Sequence, residues 1–364
     1  MKLPMIDLKA QYIELKSEID AAIEHILDEQ SFIMGEPVSK FEESLRQYLG
    51  VKHAYGCASG TDALQLALMA LDLGAGDEVI TTPFTFAATV EVVALLKAIP
   101  VYADIDPMTF NMDVNKVEAL ITSKTKAIVP VHLYGQAADM DELMEIGRKY
   151  DIPVIEDAAQ AMGAMYKGRP VTSIGDLACT SFFPAKNLGA FGDAGGVFTN
   201  DDTYGNKMKF LRVHGSDKRY VHDMIGVNSR LDSLQAAILD VKLTKLDVWN
   251  KRRDVIADLY REGLENVDVV TPTCKSDRTH IYQQFTIRSK SRDALQAHLH
   301  KEGIPCAVHY PIPLFKQPAF HDAKYDATCP ETIKAAEEVL SLPMYPHMTE
   351  AHVEMVVKAI KNFF

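Results

Sequence analysis

Between residues 50 and 200, short apolar runs rich in β-branched residues alternate with longer stretches whose apolar positions recur at helical spacing. The runs His53–Cys57, Glu78–Thr82, Ile99–Ala103, Ala127–Val131, Pro153–Glu156, Thr180–Phe183 and Gly196–Thr199 read as strands. Thr61–Leu73, Phe86–Lys97, Val114–Ile121 and Met140–Tyr150 read as helices lying between the first five. Such alternation predicts a mostly parallel sheet with helices on both faces. The strands are apolar almost throughout instead of alternating, as strands covered on two sides must be.

Outside this block the pattern changes. Ile6–Asp28 and Glu36–Leu49 read as two amphipathic helices, the second stopped by Gly50, and Leu231–Glu265 as one long helix. A mixed region follows, with strand-like Tyr282–Ile287, helix Arg292–Glu302, strand-like Ala307–Tyr310 and helices near Thr332–Leu340 and Glu350–Phe364. A chain of 364 residues exceeds the roughly 250–300 that one hydrophobic core serves. The fold class expected is therefore α/β, with a large domain over residues 1–235 and a long connecting helix plus a smaller C-terminal α+β domain over 236–364.

Composition narrows the partners. Apolar residues make up 47% and charged residues 24%, as in an ordinary globular protein, and the net charge of −12 argues against nucleic acid or an anionic membrane. The longest apolar stretch, Val90–Tyr102, is interrupted by Glu91, Lys97 and Pro100 and falls short of the ~18 residues of a span. The amino terminus lacks the apolar core of a secretory signal. Five cysteines, odd in number and without CxxC spacing, read as reduced thiols of a cytoplasmic protein. No metal site is expected: His298 and His300 point apart on a helix, and His132, His214 and His222 lack ligand spacing.

Two motifs carry chemistry. Asp157 follows the strand-like Ile152–Ile155, and Lys186 follows the strand-like run that ends at Phe183. Residues at the C-terminal ends of strands in one parallel sheet face a common crevice, where open α/β sheets bind ligands. A carboxylate and a lysine placed so are what an enzyme needs to hold pyridoxal phosphate: the carboxylate keeps the pyridine nitrogen protonated and the lysine joins the aldehyde as a Schiff base. Taken separately, Asp157 could be a helix cap and Lys186 a solvated loop residue. Ser59-Gly60-Thr61, between a strand and a helix, would offer free amides and a positive helix end to a phosphate. Neither GxGxxG nor GxxxxGK[ST] occurs, which weakens dinucleotide and ATP readings.

Thr85-Phe86-Ala87-Ala88-Thr89, Glu156-Asp157-Ala158-Ala159-Gln160, Ser181-Phe182-Phe183-Pro184-Ala185-Lys186, Gly192–Gly196 and Gly226–Asp232 occur in a fixed order. Together they resemble the DegT-type nucleotide-sugar aminotransferases, which have the fold-type-I architecture. The resemblance implies that Lys186 is the Schiff-base lysine, that Asp157 pairs the pyridine nitrogen, and that Gln160 lies near the ring hydroxyl. It further implies that Phe86 stacks on the ring, that Gly60, Thr61 and Ser181 hold the phosphate, and that Asn228 reaches the phosphate of a neighbouring subunit in a homodimer with shared active sites. Lysine at 186, where related dehydratases carry histidine, favours transamination, and the resemblance implies L-glutamate as donor.

The segment Ala307–Pro318 resembles 3-amino-sugar-forming members, most closely those acting on UDP-2-acetamido-2-deoxy-3-oxo-D-glucuronate for surface-polysaccharide (O-antigen) sugars. Its carboxylate would meet Arg230, His309 and Tyr310. The alternatives are a 3-aminotransferase for a neutral dTDP-3-oxo-6-deoxyhexose and, in another class, a non-catalytic regulator that binds pyridoxal phosphate.

Overall fold

The computed structural model describes residues 3–218 and 220–364. Its strands are β1 (His53–Cys57), β2 (Glu78–Thr81), β3 (Ile99–Tyr102), β4 (Thr125–Val129), β5 (Ile155–Asp157), β6 (Met165–Tyr166), β7 (Arg169–Pro170), β8 (Leu177–Ser181), β9 (Gly195–Thr199), β10 (Phe285–Arg288) and β11 (Val339–Leu342). The sheets β3-β2-β4 and β5-β8-β9-β1 meet through parallel bridges Ile128–Val154 and Val131–Asp157, which makes one sheet. Every pairing in it is parallel except the two made by β9. β5 and β9 are buried at every position, consistent with cover on both faces.

The helices are α1 (Leu8–Glu14), α2 (Lys16–Glu29), α3 (Glu36–Leu49), α4 (Gly60–Ala70), α5 (Ala88–Leu95), α6 (Val114–Val117), α7 (Met140–Tyr150), α8 (Asp202–Leu211), α9 (Ser233–Leu243), α10 (Leu246–Gly263), α11 (Arg292–Lys301), α12 (Pro330–Glu338) and α13 (Glu350–Lys361). One core lies where Leu66, Leu68 and Val92 of α4 and α5 meet Val79, Leu177 and Val197 of the sheet. A second gathers Met140 and Leu143 of α7 with Ile80, Ile128 and Val154. A third, with Tyr260, Phe285, Leu299, Leu340 and Ile360, is built from α10, α11, α13 and the antiparallel pair β10–β11.

Several elements depart from the sequence pattern. The helix expected over Ile6–Asp28 breaks at Leu15, whose buried side chain joins Ile19, Ile238 and Trp249 in a small separate core. The long helix over Leu231–Glu265 is two, divided at Thr244–Lys245. Ala307–Tyr310 is not a strand; only Ala307 bridges, to Ser341, and the chain then turns inward. The helix expected to run to Leu340 stops at Glu338, because Val339–Leu342 is taken into β11.

Candidate active site

The C-terminal ends of β5 and β8, the start of α4, the turn after β8, and the segments at 283–284 and 307–310 enclose a cavity of about 600 Å³, within the range of small-ligand sites. Asp157, the last residue of β5, is fixed by its backbone. Its N–H donates to Pro130 C=O (2.9 Å), and its C=O accepts from His132 N–H (3.0 Å). Its carboxylate accepts from Thr89 Oγ1 (2.8 Å) and Ala159 N–H (3.2 Å). Burial nonetheless pushes the Asp157 pKa up, outweighing those donors and the nearby Lys186 charge. A buried carboxylate of this kind is suited to a cationic partner.

Lys186 lines the same cavity, and its ammonium has no hydrogen-bond or ion-pair partner among the described residues. Desolvation lowers its pKa to about 8, against a weaker opposing pull from Asp157. A sizeable fraction of neutral amine is therefore present near pH 8, which nucleophilic attack and proton transfer both require.

The floor is made by the α4 N-terminus. Ser59 caps it, accepting from Asp62 N–H (3.1 Å), which leaves the first-turn amides of Gly60 and Thr61 without intrahelical acceptors. Only glycine fits at 60: a Cβ there would lie 2.5 Å from Ser181 Cβ. The helix end, its free amides and the Ser181 hydroxyl form a cradle for an anion. Across the cavity, Gln160 donates to Tyr310 Oη (3.1 Å) and accepts from Tyr134 N–H (2.7 Å). His309 Nδ1 pairs with Ser341 Oγ at 2.9 Å, and the Tyr134 hydroxyl donates to His309 C=O. Burial, then Lys186, lowers the His309 pKa, so this ring is neutral at pH 7. Phe86, 60% exposed, offers a ring face at the cavity edge, 6.3 Å from the Tyr310 ring.

Gly60, Thr61, Phe86, Asp157, Gln160, Ser181, Lys186, His309 and Tyr310 thus all line one cavity. Asn228 and Arg230 do not line the chain's own cavity; Asn228 is exposed and bridges Val213 through the backbone. Sequence reasoning gave no role to Thr89, though it sits one helical turn after Phe86 in the same motif. Met5, Ile6, Gln283, Gln284, Leu342 and Met344 also line the cavity; they come from segments distant in the chain, and sequence reasoning gave them no site role.

A parallel-sheet crevice with a buried carboxylate, a neutralisable lysine and an anion cradle fits a pyridoxal-phosphate enzyme of the aminotransferase class. The chain matches the model of the DegT/DnrJ/EryC1/StrS aminotransferase family over residues 13–361. It belongs to that family and is a pyridoxal-phosphate-dependent nucleotide-sugar aminotransferase.

The chain is 48% identical to a UDP-2-acetamido-2-deoxy-3-oxo-D-glucuronate aminotransferase of Pseudomonas aeruginosa, covering 99% of this chain and 100% of that one. It is also 48% identical to a "pleiotropic regulatory protein" of Geobacillus stearothermophilus, covering 100% and 99%. Among solved structures it is similar to DesV of S. venezuelae in complex with a ketimine intermediate, at TM-score 0.96 and 40% identity, covering 99% and 98%. It is similar too to NtdA of Bacillus subtilis with bound cofactor PMP, at TM-score 0.90 and 32% identity, covering 96% and 82%. Among the described residues no helix is long and apolar enough to cross a membrane.

Proposed function

We propose that the chain transfers the amino group of L-glutamate to UDP-2-acetamido-2-deoxy-3-oxo-D-glucuronate, giving the 3-amino sugar for a surface polysaccharide in the cytoplasm. The observation that carries the site assignment is that Asp157, at the end of β5, and Lys186, in the turn after the neighbouring strand β8, line one cavity. The likeness to the Pseudomonas enzyme supports the substrate.

When bound, pyridoxal phosphate supplies an electron-accepting ring that stabilises negative charge on a substrate carbon. Asp157 would hold the proton on the ring nitrogen, its carboxylate fixed by Thr89 Oγ1 (2.8 Å). The Gly60 and Thr61 amides and the Ser181 hydroxyl would bind the phosphate, Gln160 would bond the ring hydroxyl, and Phe86 would cover one face. Lys186 Nζ, which lines the cavity, would hold the cofactor through its aldehyde. As a neutral amine it would take a proton from the glutamate α-carbon and give one to the sugar carbon that gains nitrogen. His309, neutral and oriented by Ser341, and Tyr310 donate to the hexuronate.

Asn228 and Arg230, which lie outside the chain's own cavity, act in that of a second copy. Asn228 would bond the phosphate there, and Arg230 would pair a substrate carboxylate. The active sites are thereby shared across a homodimer.

The test offers the purified protein L-glutamate with UDP-2-acetamido-2-deoxy-3-oxo-D-glucuronate or a neutral dTDP-3-oxo-6-deoxyhexose. Faster amination of the acidic sugar supports the proposal, and faster amination of the neutral one replaces it with the dTDP-sugar reading. A regulatory role has one observation behind it, the designation of the Geobacillus relative. Nucleic-acid binding by the purified protein, with no amination of any keto-sugar, would favour that role.

A further inference from the structure

Lys186 stands in irregular chain between the end of β8 at Ser181 and the start of β9 at Gly195. Loops of this kind are ordinarily the mobile parts of a protein. This one is fastened at alternate residues on either side of the lysine. Ala185 C=O accepts from Gln283 Nε2 (3.2 Å). Asn187 Nδ2 donates to Asn250 Oδ1 (2.6 Å) and to Ile281 C=O (3.2 Å). Gly189 C=O accepts from the Lys242 ammonium. Asn250 is itself anchored, donating to Met162 C=O (3.1 Å).

Asn187, Lys242, Asn250 and Gln283 are exposed by only 3%, 2%, 7% and 6%. The fasteners come from separate elements: α9, α10 and the segment before β10. Burying a lysine without a carboxylate is costly, and an apolar side chain would fill the space more cheaply. Asn187 Oδ1 and Gln283 Oε1 are left without donors among the described residues. The amide hydrogens are thus committed to the lysine's turn even where that leaves a buried oxygen unpaired. The side chain of Lys186, by contrast, makes no hydrogen bond among the described residues.

We infer that Lys242, Asn250 and Gln283 are positioning residues that hold the backbone around Lys186 rigid while its side chain stays free to move. This role rests on the reading of Lys186 as the cofactor lysine. It answers a specific need. During transamination that amine must leave the cofactor, carry a proton and return, so its backbone must not drift while its side chain swings.

Competitive acetylation of the apo-protein across pH, followed by peptide mapping, reads the ionisation midpoint of Lys186. Borohydride capture with pyridoxal phosphate reads how well the amine is aimed. The wild type should show a midpoint of about 8 and efficient capture at Lys186. In Lys242→Met and Asn250→Ala, loosening admits water, the midpoint should rise by about one unit or more, and capture should fall severalfold. A lower melting temperature with unchanged midpoint and capture would reduce these residues to structural ones and overturn the inference. If Asn250→Ala does not fold, Lys242→Met decides by the same readouts. Wild-type protein with no capture at Lys186 would instead overturn the cofactor reading itself.

Discussion

Glu156 and Asp157 are chain neighbours on β5, yet the regions they enter could hardly differ. Successive side chains of a strand point to opposite faces. Behind the strand, the Glu156 carboxylate accepts from Thr172 N–H (3.0 Å), Ile174 N–H (2.8 Å), Gly175 N–H (2.7 Å) and His132 Nε2 (2.9 Å). Because His132 Nδ1 accepts from Ala138 N–H (3.0 Å), the imidazole proton sits on Nε2. Burial alone would raise the Glu156 pKa, but the His132 bond and those amides outweigh it and leave it lowered. On the cavity side Asp157 has two donors, and burial wins. Both carboxylates are buried; one is saturated and the other is left wanting charge. Saturation marks a structural group, and shortage marks a group reserved for a ligand.

The largest effect that sharpens this contrast comes from the partner of the unsatisfied carboxylate. Lys186→Ala should cut turnover at least about 10²–10⁴-fold, with far-UV circular dichroism unchanged; appreciable single-turnover amination by that variant would remove the lysine from the chemistry. Asp157→Asn should lower turnover on the order of 10²–10³-fold with little change in melting temperature. Glu156→Gln should reverse the pattern, costing about 1–3 kcal/mol of stability by urea titration while turnover per folded molecule stays near wild type. Equal catalytic losses in both carboxylate variants would dissolve the distinction drawn between them. Thr89→Val removes one bond to a charged group, and a loss of about 1.5 kcal/mol would slow turnover roughly tenfold.

The smallest effect is on pH dependence. The folded pKa of Glu156 is below its ordinary 4.5, so its contribution to stability is fully present above that value and fades as pH falls through the folded pKa. Glu156→Gln should therefore flatten the acid side of the stability profile. A mutant profile parallel to wild type below pH 4.5 would mean that Glu156 does not set it.

The sequence carried the sheet and the lysine–aspartate pair because both depend on local pattern. Apolar runs located β1 at His53–Cys57 to the residue, and five residues of the ordered motifs, Phe86, Asp157, Gln160, Ser181 and Lys186, line one cavity. What escaped it was decided by contacts between distant segments. The break at Leu15 follows from where Trp249 lies, and Ala307–Tyr310 failed to form a strand because His309 and Tyr310 are drawn into the cavity. Met5 and Ile6 reach the site because Leu3 is buried in the C-terminal core and Met344 N–H donates to Met5 C=O (3.4 Å). No periodicity encodes such a strap.

The most direct test of the central claim saturates the wild-type protein with pyridoxal 5'-phosphate, reduces it with borohydride and maps the labelled peptide. The label should fall on Lys186 and disappear in Lys186→Ala. A label on another lysine, or a protein that stays colourless and unlabelled, would contradict the account.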